Sequence, residues 1–147
     1  MSSARIMVVD DQAPFRRAVL ALGRSARIDV IEAEDRDTAL AALDAVTTPV
    51  DLVLVDVMLG PESGIDLTRE LLEADPRLPV VLVSTMDERD LPSDAATCGA
   101  WRFVPKSMLS PDLLDELVTT TDGVQAPPRG RPAAPSTPDA ESGTVAT

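Results

Sequence analysis

The chain has 147 residues, and 25 acidic against 13 basic side chains give it a formal charge of -12. That length holds one compact domain and is too short for two ordinary enzyme domains, while the acidic balance excludes the basic footprint that autonomous nucleic-acid binding needs. With no histidine and a single cysteine, Cys98, His-based triads, His metal sites and an internal disulfide are ruled out, so carboxylates, lysine and hydroxyls must carry any chemistry.

The first apolar, β-branched run is Ile6 to Val9, which has the length of a buried strand and closes on Asp10-Asp11. A helical pattern follows from Pro14 to Leu22, proline suiting a first turn. Ile28 to Ala33 reads as the second strand and Arg36 to Val46 as the second helix. Val50 to Val55 is the third strand, closing on Asp56, and the helix Ile65 to Ala74 is stopped by Pro76 and Pro79. Pro79 to Val83 is the fourth strand, closing on Ser84-Thr85, with a weaker helical stretch from Ser93 to Cys98. Trp101 to Val104 is the fifth strand and closes on Pro105-Lys106. Trp101 and Phe103, two apart, are expected to share one face of it. The last helix spans Pro111 to Thr120, with Ser110 as its cap.

Strand and helix alternate throughout, which predicts a parallel sheet with right-handed crossovers and helices on both faces, a doubly wound α/β fold. The composition changes after Thr121: Asp122 to Thr147 is rich in Pro, Ala, Ser and Thr and almost free of large apolar side chains. Such a segment cannot offset its ordering entropy by burial, so it is expected to be a disordered tail behind a domain at 1–121.

In an open parallel sheet, reactive groups gather where the strands end. If the first and third strands are neighbours, Asp10, Asp11 and Asp56 converge. Three carboxylates so close repel one another unless a cation lies among them. Oxygen ligands without His or Cys favour a hard ion, Mg²⁺ or Mn²⁺. Lys106 brings an ammonium to the same edge. A divalent ion, carboxylates, a hydroxyl and a lysine form the parts of a phosphoryl-transfer site.

Asp10-Asp11 after the first strand, Asp56 after the third, Ser84 after the fourth, Phe103 on the fifth and Lys106 after it resemble the receiver domain of two-component response regulators. Gly64, eight residues past Asp56, and Gly99-Ala100 before the aromatic match as well, and the resemblance covers about Ala4 to Thr121. It implies a flavodoxin-like (βα)₅ fold with strand order 2-1-3-4-5, in a single-domain, stand-alone regulator. It also implies that Asp56 accepts a phosphoryl group from a histidine kinase or phosphotransfer protein, with Asp10, Asp11, Asp56 and the Met58 main-chain carbonyl holding Mg²⁺ or Mn²⁺. Lys106 then binds the phosphoryl oxygens, while Ser84 and Phe103 act as the switch. Met58 and Met86 take the positions that tune loss of the phosphoryl group. Flexible apolar side chains there are expected to shield the acyl phosphate from water and give a slowly decaying phosphoprotein.

The implied output is contact with an unidentified effector protein, or homodimerisation, through the face of the fourth helix, fifth strand and fifth helix, with no direct nucleic-acid or membrane contact. No helix-turn-helix follows Thr121, so the output is expected on a partner. No enzyme activity is expected beyond self-phosphorylation from small donors and self-dephosphorylation. No secretion leader or membrane-length apolar run is present, so a cytoplasmic protein is expected.

Three departures from the family pattern stand out. Gly60 occupies the place where the family commonly has proline, with Pro61 after it. The usual Lys-Pro is reversed to Pro105-Lys106-Ser107, where a cis Lys106-Ser107 bond costs more than a cis prolyl one, favouring trans. Pro92 predicts a short fourth helix that starts late. The first two keep open an alternative, a pseudo-receiver that acts as an interaction module without phosphorylation.

Overall fold

The computed structural model describes residues 4–45 and 49–124. Its elements are β1 (Arg5–Val9), α1 (Ala13–Ala26), β2 (Asp29–Ala33), α2 (Arg36–Ala45), β3 (Leu52–Asp56), the two-residue strands β4 (Met58–Leu59) and β5 (Glu62–Ser63), α3 (Gly64–Ala74), β6 (Val80–Ser84), β7 (Arg102–Pro105) and α4 (Pro111–Val124). Five strands form one parallel sheet in the order β2-β1-β3-β6-β7. With the small β4-β5 hairpin set aside, this is the expected 2-1-3-4-5 order.

The two central strands β3 and β6 are buried at every residue, which is why their sequences are unbroken apolar runs rather than alternating ones. Side chains nevertheless alternate between two cores. Met7, Val9, Val53, Val55, Val80 and Leu82 face one side, where Ala39 of α2 and Leu67 and Leu71 of α3 cover them. Ile6, Val8, Leu52, Leu54, Val81 and Val83 face the other, against Val19 of α1 and Leu114 and Leu117 of α4. The period of two along each strand thus sorts the apolar residues into two helix-covered layers. Cys98 is buried in the first.

Helix α1 extends past the expected end at Leu22 to Ala26, with Gly23 buried and Ala26 packed on the same core as Leu22. It stops at Arg27, whose φ of 61° is left-handed and whose N–H closes back on Arg24 and Gly23 carbonyls. Ser63 caps α3, its hydroxyl accepting from the Ile65 and Asp66 N–H groups at 3.2 and 3.3 Å. The Ser110 hydroxyl accepts from Leu113 N–H at 3.0 Å, as its capping position predicts. Helix α4 runs through the expected boundary at Thr121 to Val124. The expected tail beyond Val124 lies outside the described residues.

Two expectations are overturned between β6 and β7. The stretch from Ser93 to Cys98 is not an α-helix: the chain makes two short 3₁₀ turns, Glu88–Asp90 and Ser93–Ala96, separated by Pro92. Proline lacks the N–H that a continuous helix needs, and Gly99, at a φ of 99°, turns the chain back before a longer run can form. The face expected on a fourth helix is therefore built from 3₁₀ turns.

Trp101 and Phe103 also do not share a face. Trp101 precedes β7, so strict alternation has not begun, and it packs against the core under α1 and α4, whereas Phe103 packs against the opposite core. Both reach the rim of a groove of about 430 Å³ that Leu82, Leu91, Pro92 and Ala95 also line. Among the described residues no helix is long and apolar enough to cross a membrane.

Candidate functional site

β1 and β3 are adjacent, with Val9 level with Val55, so Asp10 and Asp56 leave the sheet side by side. Asp11 follows Asp10 on the loop to α1. One carboxylate oxygen from each of Asp10, Asp11 and Asp56 can be chosen so that all lie within 4.8 Å of one another. Asp10 is wholly buried, Asp56 is buried and Asp11 is exposed, so the cluster opens to solvent on the Asp11 side.

Each buried carboxylate is held by the backbone. Asp10 Oδ1 accepts from the Gln12 N–H at 2.8 Å, and Asp56 Oδ1 from the Met58 N–H at 3.1 Å. The Lys106 ammonium donates to both, at 2.6 Å to Asp10 Oδ2 and 3.0 Å to Asp56 Oδ2. The same Nζ lies 4.2 Å from the centre of the Phe15 ring. Arg16 adds a grip from α1, its guanidinium donating to the Asp10 carbonyl at 2.7 Å and to Glu32 of β2 at 3.1 Å.

Burial is the largest influence on Asp56 and pushes its carboxyl above the ordinary range; the Asp10 charge adds to this, and the Met58 N–H and Lys106 offset only part of it. For Lys106, burial alone would lower the ammonium, but hydrogen bonds to Asp10 and Asp56 outweigh it and hold the group above its usual value. The site thus sets a carboxyl whose proton affinity is raised by burial beside an ammonium whose proton affinity is raised by its two carboxylate partners.

The segment after Asp56 is shaped by two glycines. Gly60 takes a φ of 68° at the turn of the β4-β5 hairpin, where Met58 pairs with Ser63 and Leu59 with Glu62. A Cβ there would come 3.1 Å from Asp11 Oδ2. The departure from proline at this position thus corresponds to a tight turn resting against an acidic residue of the site. Gly64 has no room for any side chain beside the Asp56 carbonyl, and its N–H donates to the Val57 carbonyl at 2.9 Å.

The remaining predicted residues lie around this centre. Ser84 is buried at the end of β6, and its Oγ accepts from the Met86 N–H at 2.9 Å, whereas its neighbour Thr85 is exposed. Phe103 is half-buried against the core of the α2-α3 side. Met86 packs on the same core, and Met58 is 57% exposed beside the acidic cluster. Lys106 opens a 3₁₀ turn, Lys106–Met108, directly after β7, so its reach to the carboxylates does not need the Lys-Pro order that the chain lacks.

Sequence reasoning missed Phe15, Arg16 and Glu62. The Glu62 carboxylate accepts from the Arg36 N–H at the start of α2 at 3.1 Å, and the Arg36 guanidinium pairs with Glu70 of α3, tying the hairpin to two helices. No local pattern marks such contacts, because they join elements remote in sequence. The donor set of the centre is all oxygen, without nitrogen or sulfur ligands, and suits a hard divalent ion.

The family model of the response regulator receiver domain matches residues 6–118. The phosphate regulon transcriptional regulatory protein PhoB of Pseudomonas aeruginosa is 30% identical over 119 residues, covering 80% of this chain and 51% of that protein. The response regulator protein PilR of the same organism is 32% identical over 123 residues, covering 82% of this chain and 26% of that protein. The chain thus spans about half or less of these curated relatives. Among solved structures, a response regulator from Thermotoga maritima superposes with a TM-score of 0.69 at 29% identity, over 83% of this chain and 99% of that one. The receiver domain of NtrX from Brucella abortus does so with a TM-score of 0.68 at 29% identity, over 79% of this chain and 96% of that one.

Proposed function

The chain belongs to the response regulator receiver domain family, and from that premise we propose that it accepts a phosphoryl group on Asp56 from a histidine kinase or phosphotransfer protein and signals to a protein partner. The observation that carries this reading is the Lys106 ammonium shared between Asp10 and Asp56 at the open end of the sheet, with Asp11 alongside.

In the proposed reaction an Asp56 carboxylate oxygen attacks the phosphorus of a phosphohistidine. A P–O bond forms as the P–N bond breaks, and the leaving imidazole takes up a proton. Asp10, Asp11 and Asp56, with the Met58 main-chain carbonyl, would hold Mg²⁺ or Mn²⁺, which when bound neutralises charge on the phosphoryl oxygens. The Met58 N–H and Lys106 orient the Asp56 carboxylate before transfer, and Lys106 then turns to the new phosphoryl oxygens. The Ser84 hydroxyl, at the neighbouring strand end, moves toward the phosphoryl group, drawing the loop after β6 inward while Phe103 fills the vacated space. The groove between the 3₁₀ turns and β7 is the surface so altered, and it is where we place the effector contact or a homodimer seam. Met58 and Met86 tune the phosphoryl lifetime.

Intact mass after incubation with Mg²⁺ and acetyl phosphate tests the reading. One added phosphoryl unit, lost in Asp56→Asn and with chelator, is the expected result. A folded protein that takes no label from acetyl phosphate or from a kinase is instead a phosphorylation-independent interaction module.

A further inference from the structure

Lys106 is the one lysine of the chain, every other basic side chain being arginine. An ammonium on a flexible four-carbon stem must be aimed by its surroundings. Asp10 and Asp56 both draw Nζ, at 2.6 and 3.0 Å, and Asp10 holds it at the shorter distance. The shorter of the two contacts is thus to Asp10 and not to Asp56, the residue that the proposed reaction modifies.

The third contact is of another kind. Phe15 stands in the first turns of α1, half-buried against the core beneath α1 and α4, so its ring is anchored by packing independent of the acidic cluster. Its centroid lies 4.2 Å from Nζ, well inside the range at which a ring face attracts a cation. A carboxylate in that place would cancel the ammonium's charge, and an aliphatic side chain would offer no attraction. A ring attracts the cation and leaves its charge free for an arriving anion.

We infer that Phe15 is a positioning residue whose ring sets where the Lys106 ammonium stands, so that Nζ stays within reach of oxygens gained by Asp56. This rests on the phosphoryl-acceptor reading for its consequence, but not for its geometry.

The geometry is tested on the full chain labelled with ¹³C-lysine, which gives one set of lysine signals. The Lys106 ε-methylene protons are expected upfield of their position in urea-unfolded protein, restored toward that position in Phe15→Leu and kept upfield in Phe15→Tyr. The consequence is tested by the rate of mass gain from acetyl phosphate with Mg²⁺. Phe15→Leu is expected to slow it about tenfold, Phe15→Tyr to leave it near wild type, and Phe15→Leu to have no further effect on the residual rate in Lys106→Ala. No upfield displacement in the folded wild type overturns the proposal, even if Phe15→Leu does not fold. A wild-type rate in Phe15→Leu, or equal slowing with and without Lys106, overturns it too. If the wild type gains no mass, the acceptor reading fails, and the lysine spectrum still decides the place of Phe15.

Discussion

Gly64 lies so close to Asp56 that a Cβ built on it would stand 1.8 Å from the Asp56 carbonyl oxygen. The oxygen belongs to backbone and cannot swing aside, so the first turn of α3 and the end of β3 must part to admit even a methyl group. Gly64→Ala is expected to cost about 3 kcal/mol or more, read as a lowered midpoint in urea.

Lys106 is the cationic partner of a fully buried Asp10 carboxylate. Removing it with Lys106→Met leaves buried negative charge uncompensated and is expected to destabilise the metal-free protein by about 3 kcal/mol. The same change frees Asp10 Oδ2 from a competitor. Added Mg²⁺ should therefore raise the melting temperature of the variant by more than that of wild type, measured against chelator controls.

Asp56 titrates above the ordinary carboxylate range, chiefly through burial. A raised folded value means that the folded protein holds the proton more tightly than the unfolded chain. The stabilising contribution is present in acid and lost as pH rises through the folded value, so the ionised group costs stability at neutral pH. Asp56→Asn, measured in chelator, is expected to melt a few degrees higher than wild type at pH 7, with the advantage shrinking as the pH is lowered.

Glu62 reaches across from the hairpin to take the first free N–H of α2. Glu62→Ala is expected to cost about 1 kcal/mol, and Glu62→Gln, which keeps an acceptor oxygen, to recover most of it. Chemical denaturation of the pair checks both.

Met58, exposed beside the acidic centre, presents a thioether where a polar side chain would recruit water. Once Asp56 has been phosphorylated and free donor removed, Met58→Asn is expected to shorten the lifetime of the label several-fold, followed by intact mass over time. An unchanged lifetime removes Met58 from any kinetic role.

The strands were legible because β3 and β6 are buried on both faces, which leaves unbroken apolar runs ending abruptly in Asp56 and Ser84. The order of the strands was not, since periodicity carries no information on which edge pairs with which; it rested on the resemblance. The stretch from Ser93 to Cys98 has alanines that suit a helix, but Pro92 and Gly99 leave room there for a single 3₁₀ turn. The acidic cluster could be assembled from strand ends alone. Phe15 under Lys106 and Arg16 on the Asp10 carbonyl could not, being contacts made by packing between remote segments.

The placement of Trp101 has an optical consequence. The chain holds one tryptophan and no tyrosine, so its near-ultraviolet emission comes almost wholly from a half-buried indole at the rim of the groove between the 3₁₀ turns and β7. Phe103 lines that groove as well. The molecule therefore carries a built-in fluorophore at the surface that rearrangement of Phe103 would disturb, and a stopped-flow fluorimeter can follow that surface in real time without any attached dye.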